Sequence, residues 1–118
     1  MLTLTDILRD QNQRRVHLER RLDSIVGQLR ELGALKVVLY GSLARGEVGA
    51  TSDLDLLVVM PSTKTGKEWM STIYETVERG VACDIVAYNE REFEAECNSR
   101  CFLQHVLASG KVVYDKPG

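Results

Sequence analysis

The longest uninterrupted apolar run of the sequence, residues 56–60, constrains the fold of this chain more than any other feature. An apolar run of this length is typical of a β-strand that is covered on both faces, as in the middle of a sheet. Pro61 ends the strand, because proline has no N–H group for the hydrogen-bond ladder. The run is far shorter than the roughly 20 apolar residues of a membrane span. The sequence therefore predicts a central strand over residues 53–60 and no membrane association.

Other strand and helix patterns surround this central strand. Further strands are predicted over residues 35–40, 81–88 and 111–114, and helices over residues 65–79 and, in one or two pieces, 89–107. This order indicates an α/β (α+β) domain with a small mixed sheet of about four strands and helices packed on it. We expect one domain over residues 1–118, with a long N-terminal helix at 1–33 and a catalytic core at 35–115.

The N-terminal helix carries an apolar stripe in its second half. The stripe recurs with the helical period at Leu18, Leu22, Ile25, Val26, Leu29 and Leu32. Thr3 with Asp6 resembles an N-cap, and Gly33 is a plausible C-terminal stop. Residues 9–15 are almost wholly polar. The pattern leaves open whether the helix bends or breaks there, or extends past the body of the domain.

The charges of the chain exclude one function class. A net charge of −2 argues against a globally basic protein that binds nucleic acid directly. Basic residues cluster at Arg9, Arg14, Arg15, Arg20 and Arg21, and acidic residues at Glu90, Glu92, Glu94 and Glu96. Each cluster is interpreted first as a solvated helix face and second as a docking surface. The first residues lack the pattern of a signal peptide, so a cytoplasmic location is expected.

Two carboxylates lie at the start of the predicted central strand. Asp53 and Asp55 are two residues apart, so both side chains project from one face of the strand, while Leu54 and Leu56 project from the other. Adjacent carboxylates at the start of a buried strand repel each other and are costly to bury. A divalent cation would remove that cost, and oxygen ligands on a rigid strand suit Mg²⁺.

A third carboxylate interrupts the next strand. Asp84 lies among apolar residues, where a charge is unusual at a purely structural position. If the two strands are neighbours, Asp84 joins Asp53 and Asp55. Three carboxylates on adjacent strands can hold two Mg²⁺ ions about 4 Å apart, the arrangement that serves phosphoryl chemistry.

Gly41-Ser42 follows the strand at residues 35–40 and supplies a phosphate site. Glycine lets the backbone approach a phosphate closely. If a helical turn begins at Ser42, its free N–H groups bind anions and the serine hydroxyl adds a donor. Each of these signals is common on its own, as a turn or as a solvated strand end. The combination of the three signals, each at one of three predicted strands, is uncommon.

This conjunction resembles a known signature. Gly41-Ser42 followed after ten residues by Asp53-Leu54-Asp55 resembles the signature of the nucleotidyltransferase superfamily that includes DNA polymerase beta. The fuller string, residues 41–47 with residues 52–58, is similar to its small branch, the minimal nucleotidyltransferases. The resemblance covers roughly residues 22–115 and implies a polymerase beta-like palm fold.

For the carboxylates, the resemblance implies that Asp53 and Asp55 bind both Mg²⁺ ions. Asp84 would bind the ion that activates the acceptor hydroxyl, and could accept its proton. The reaction would be in-line attack of a hydroxyl on the α-phosphorus of a nucleoside triphosphate, with transfer of the nucleotide and release of pyrophosphate. ATP as the donor is implied by the family, since no residue of the sequence distinguishes adenine from guanine.

For the phosphates, the resemblance implies that Gly41 and Ser42 hold the β- and γ-phosphates. Arg45 is typical of the branch and would contact phosphate. Its structural alternative is a salt bridge to Glu47 or Asp53.

The acceptor is the second substrate. Larger members of the superfamily carry an extra acceptor-binding domain, for which the residues after the core leave no room. We therefore expect the acceptor on a partner protein, on a second copy or in a shallow groove, and the chain as a possible homo- or hetero-oligomer. In the minimal branch the usual neighbour is a small helical protein of the HEPN class. The resemblance implies a toxin–antitoxin pair in which the nucleotidyltransferase adenylylates the HEPN-type toxin and silences it.

Two alternatives to this function remain open. The chain can be a non-catalytic antitoxin that neutralises its partner by complex formation alone. It can also be an enzyme that transfers nucleotides to a small molecule such as an antibiotic. Three clustered carboxylates favour an enzyme over a pure binding module.

Three aromatic residues near these motifs are interpreted as packing residues. Trp69 and Tyr74 lie on one predicted helix and are expected to pack on its face rather than stack on a base. Tyr40 precedes the Gly41-Ser42 turn and is expected to pack under it.

Overall fold

Four strands form one mixed sheet in the computed structural model, which describes residues 3–41 and 54–117. In chain order the elements are α1 (Leu4–Glu31), β1 (Lys36–Tyr40), β2 (Leu54–Met60), α2 (Gly66–Thr76), β3 (Cys83–Asn89), α3 (Glu90–Glu96), α4 (Cys101–Ser109) and β4 (Lys111–Asp115). The strand order is β3-β2-β1-β4. β1 is antiparallel to β2 and β4, and β2 is parallel to β3. The predicted mixed sheet with packed helices is confirmed.

β2 is the central strand that its apolar sequence predicts. Every residue of β2 except Asp55 is buried, because helices cover both faces of the sheet. The face of Leu54 and Leu56 belongs to the main core, to which α1 and α2 also contribute. On the opposite face, Leu57 packs with Leu103 and Val106 of α4.

α1 runs unbroken through its polar stretch and extends past the body of the domain. The Thr3 hydroxyl accepts a hydrogen bond from the Asp6 backbone N–H, and the Asp6 carboxylate accepts one from Thr3 N–H, so the predicted N-cap is a full capping box. None of the described side chains before Leu18 is buried. We call residues 4–17 the α1 arm. Neither α1 nor any other helix within residues 3–41 and 54–117 is long and apolar enough to cross a membrane.

α2 ends at Thr76, earlier than the predicted end at Arg79. Val77 follows the helix in an extended conformation, with ψ of 122°, and turns its side chain into the core, where it is 5% exposed. Gly80, the residue after the predicted end of the helix, has a φ of +72°. The burial of Val77 therefore ends the helix before the glycine does.

The loop of residues 77–82 is held by side chains of α1. Gln28 donates to the Glu78 carbonyl and accepts from the Glu78 N–H, both at 2.8 Å. The Arg21 guanidinium donates from Nε to the Arg79 carbonyl at 2.9 Å. These contacts satisfy backbone groups of the loop, which lie outside any helix or strand. Arg21 is thus a partly buried contact residue, and the interpretation of its cluster as a solvated face is wrong at this position.

We expect the two halves of α1 to respond differently to the same substitution. Leu29 is 0% exposed and Leu8 is 55% exposed. Leu29→Ala should lower the free energy of unfolding by about 2–5 kcal/mol, because it leaves a cavity in the core. Leu8→Ala in the α1 arm should change it by no more than about 0.5 kcal/mol. Urea denaturation of both variants checks this, and equal losses would show that the arm is packed in solution.

Candidate active site

The two described carboxylates of the predicted site lie side by side on parallel strands. The register of β2 and β3 pairs Asp55 with Asp84. Side chains alternate between the two faces of a sheet along each strand. Both carboxylates therefore lie on the same sheet face as Leu57 and Val86, the in-register pair two residues further along. The structure therefore brings Asp84 next to Asp55 on a neighbouring strand.

The two carboxylates differ in their access to solvent. Asp55 is partly buried in the central strand, whereas Asp84 is exposed on β3, an edge strand of the sheet. Solvent access lowers the cost of keeping a charge at position 84 within an apolar segment. Asp84 is therefore open to a large second substrate as well as to small molecules.

The third predicted carboxylate, Asp53, lies outside the described residues. In the part of the chain that the structure describes, no cluster of three or more His, Cys, Asp or Glu side chains forms a metal site. Asp55 and Asp84 are hard oxygen donors on neighbouring strands, which lie about 4.8 Å apart. Such a donor set fits Mg²⁺, which takes one or two carboxylates and completes its shell with water and phosphate.

Gly41 directly follows β1, and its backbone lies against the side chain of Asp55. Its φ is +80°, a conformation that residues with a Cβ rarely adopt. A Cβ at this position would lie 3.3 Å from the Asp55 Cγ and collide with the carboxylate. Glycine at position 41 is thus needed for both the turn and the close approach. Ser42 and Arg45, the other two residues of the predicted phosphate site, lie outside the described residues.

Tyr40 borders the carboxylate pair from β1. It is the register partner of Asp55, and its ring packs edge-to-face on Phe102 of α4, with ring centroids 5.8 Å apart. Burial, followed by the charges of Asp55 and Asp84, raises the pKa of Tyr40 to about 12. The phenol is therefore protonated at neutral pH. Sequence reasoning did not connect Tyr40 with the carboxylates, although antiparallel pairing of β1 and β2 would have placed it there.

The two aromatic residues of α2 contact backbone groups at separate places. The buried Trp69 donates from Nε1 to the Pro61 carbonyl at 2.8 Å, so the interpretation as a packing residue is confirmed. Tyr74 is 39% exposed and accepts a hydrogen bond at 2.9 Å from the N–H of Ile85, the residue after Asp84. This contact was missed because no local pattern reports a bond between a helix and the following strand.

A groove of about 310 Å³ lies beside the second half of β3. Its lining includes Val86 and Tyr88 of β3, Lys67 of α2, Glu96 at the end of α3, and Arg100, the residue before α4. Val86 lies two residues from Asp84 on the same sheet face, and neither Asp55 nor Asp84 lines the groove. It offers a surface of mixed charge to a substrate bound at this edge of the sheet.

A family model described as a nucleotidyltransferase domain matches residues 20–107. The matched range includes Gly41, Asp55 and Asp84, and it begins after the α1 arm. No curated protein and no solved structure matches the chain.

Proposed function

Since this chain belongs to the nucleotidyltransferase domain family, within the DNA polymerase beta-like superfamily, we propose that it transfers AMP from ATP to a hydroxyl of a partner protein. Nucleotidyl transfer is the general activity that the family match supports, and the family generally uses a nucleoside triphosphate and a divalent metal ion. One observation supports metal-dependent transfer at this site, while ATP as the donor and a protein as the acceptor rest on the resemblance of residues 41–47 and 52–58 to the minimal branch. Asp55 and Asp84 lie in register on parallel strands, and Gly41 turns the backbone against Asp55.

The carboxylates hold the metal ions in this proposal. Asp55 and Asp84 supply oxygen ligands from neighbouring strands, and Asp53 completes the set two residues before Asp55 in the sequence. Two bound Mg²⁺ ions would neutralise phosphate charge and lower the pKa of the acceptor hydroxyl. The rigid central strand fixes Asp55, while the exposed Asp84 faces the side from which an acceptor can enter.

The chain's own residues then orient the donor and receive the proton. Gly41 lets the backbone approach the β- and γ-phosphates, Ser42 adds a hydroxyl donor and Arg45 adds a positive charge. The acceptor oxygen attacks the α-phosphorus in line. The bond from the α-phosphorus to the bridging oxygen breaks, and pyrophosphate leaves with the bonding electron pair. Asp84 takes the proton of the acceptor hydroxyl. Positioning and charge neutralisation supply most of the rate in such a reaction.

The partner in this proposal is a helical toxin of the HEPN class, and the chain is its antitoxin. The resemblance of residues 41–47 and 52–58 to the minimal branch supports this assignment. The exposure of Asp84 supports a macromolecular acceptor, because a tyrosine on a partner's surface can reach an edge strand. The docking surfaces of the proposal are the basic face of α1 from Arg9 to Arg21 and the acidic helix α3, and the reaction is assigned to the cytoplasm.

The experiment incubates the purified chain with Mg²⁺ and labelled ATP, with and without the product of the adjacent gene, and reads intact masses. We expect a gain of one or more AMP units on the partner, and no gain with Asp55→Asn. A tight complex that forms without any transfer, and survives Asp55→Asn, would identify a binding module instead. Transfer to small hydroxyl compounds without a partner would identify a small-molecule enzyme.

A further inference from the structure

We infer that Tyr74 and Arg79 are positioning residues that hold Asp84 in place for metal binding, an inference that rests on the proposed function. Asp84 occupies an edge strand, and within residues 3–41 and 54–117 β3 pairs with β2 alone. The backbone groups on the outer side of an edge strand are without ladder partners. Mg²⁺ demands near-ideal ligand geometry. A metal ligand on such a strand therefore needs other contacts that fix its position.

The outer side of β3 is held at both residues next to Asp84. The Tyr74 hydroxyl accepts from the Ile85 N–H at 2.9 Å and contacts the Ile85 carbonyl at 3.4 Å. The Arg79 Nη1 donates to the Cys83 carbonyl at 3.4 Å. Because backbone groups alternate along a strand, those of Cys83 and Ile85 point outward, and those of Asp84 point to β2. The Asp84 segment is therefore fixed from both sides.

Tyr74 and Arg79 also contact each other. The Arg79 guanidinium lies over the Tyr74 ring, 4.4 Å from its centroid. The backbone carbonyl of Arg79 accepts the hydrogen bond from Arg21 of α1, so the pair is tied to the long helix as well. The position of Asp84 thus depends on α1, α2 and the loop of residues 77–82.

The exposure of Tyr74 argues against a role in filling the core. Its side chain is 39% exposed, whereas Trp69 and Ile73 on the same helix are 6% and 0% exposed. Removing the hydroxyl of Tyr74 therefore leaves the core intact and removes the hydrogen bonds to β3. Groups that orient a metal ligand typically change metal affinity or activity by about 10- to 100-fold when they are removed.

Tyr74→Phe tests the inference, with Tyr114→Phe as the matched control. Tyr114 is a partly buried tyrosine on β4, at the opposite edge of the sheet. The full chain is titrated with Mn²⁺ in the presence of a non-hydrolysable ATP analogue, and free Mn²⁺ is read by electron paramagnetic resonance. We expect about 10-fold weaker Mn²⁺ binding for Tyr74→Phe and wild-type binding for Tyr114→Phe.

A second readout separates positioning from general destabilisation. In the transfer assay, Tyr74→Phe should raise the Mg²⁺ concentration for half-maximal rate by about the same factor and leave the KM for ATP nearly unchanged. Wild-type Mn²⁺ affinity in Tyr74→Phe would overturn the inference and leave the proposed function standing. If the wild-type chain itself binds no Mn²⁺, the proposed function and the inference both fail.

Discussion

Asp55→Asn and Asp84→Asn should each lower the rate of nucleotide transfer by roughly a thousandfold, the upper end of the cost of removing one group that stabilises transition-state charge. Each substitution keeps the size of the side chain and removes one negative charge from the in-register pair. The neutral amide is a poor ligand for Mg²⁺, and at position 84 it can no longer accept the proton of the acceptor hydroxyl. Intact-mass measurement of the modified acceptor gives the rates.

Asp115→Asn is the control for this prediction. Asp115 is an exposed carboxylate on β4, paired in register with Lys36 at the far end of β1, and its loss should leave transfer unchanged.

In the absence of metal, Asp84→Asn should unfold at the wild-type temperature or slightly above, since it removes the repulsion between neighbouring carboxylates. Added Mg²⁺ should then raise the Tm of the wild-type chain more than that of the variant. Equal Mg²⁺ stabilisation of both would place the metal elsewhere.

Gly41→Ala should lower transfer by about a hundredfold, because it moves the Asp55 carboxylate away from its working position. The added Cβ would lie 3.3 Å from the Asp55 Cγ, and the φ of +80° is strained for any residue with a Cβ. The same strain should cost about 1–3 kcal/mol of folding free energy. Transfer kinetics and urea denaturation measure the two effects on one sample.

Gly27→Ala is the matched control, with the opposite expected sign for stability. Gly27 lies inside α1, and a Cβ there meets nothing within 4 Å. Alanine should stabilise the helix by up to about 1 kcal/mol and leave transfer unchanged. Full activity of Gly41→Ala would show that the close approach of this backbone to Asp55 has no part in the reaction.

Patterns within single elements predicted the elements that position the site. The apolar run of β2 and the helix starts expected at residues 65 and 89 mark elements that the structure confirms, and α2 and α3 begin there with capping boxes at Thr65 and Asn89. The alternation of side chains placed Asp55 on the sheet face that carries Asp84, once β2 and β3 were assumed to be neighbours. Local periodicity and strand geometry are properties of short segments, so they can be read without knowing the tertiary fold.

Contacts between distant segments were not predictable in this way. Arg21 and Gln28 contact backbone groups 50 or more positions away, and these contacts hold the loop that follows α2. Glu92 was interpreted as part of a solvated acidic face. Its carboxylate accepts from the nearby Asn89 N–H, which closes the capping box of α3, and also from the Gly66 N–H, 26 positions away. Nothing in a local run of charges distinguishes a solvated glutamate from one that joins two helix starts. Such bonds depend on how the elements pack.

The unbroken course of α1 means that one helix spans two regimes of hydrogen exchange. Amides from Leu18 onward belong to a segment packed in the core, so they exchange when the domain opens as a whole. The α1 arm has no buried side chain among those described, and a helix of its length is marginal in water on its own. It keeps its form because the Thr3 capping box closes one end and the packed segment continues the other. Protection should therefore rise along the helix from the arm to the core, within a single continuous hydrogen-bond ladder.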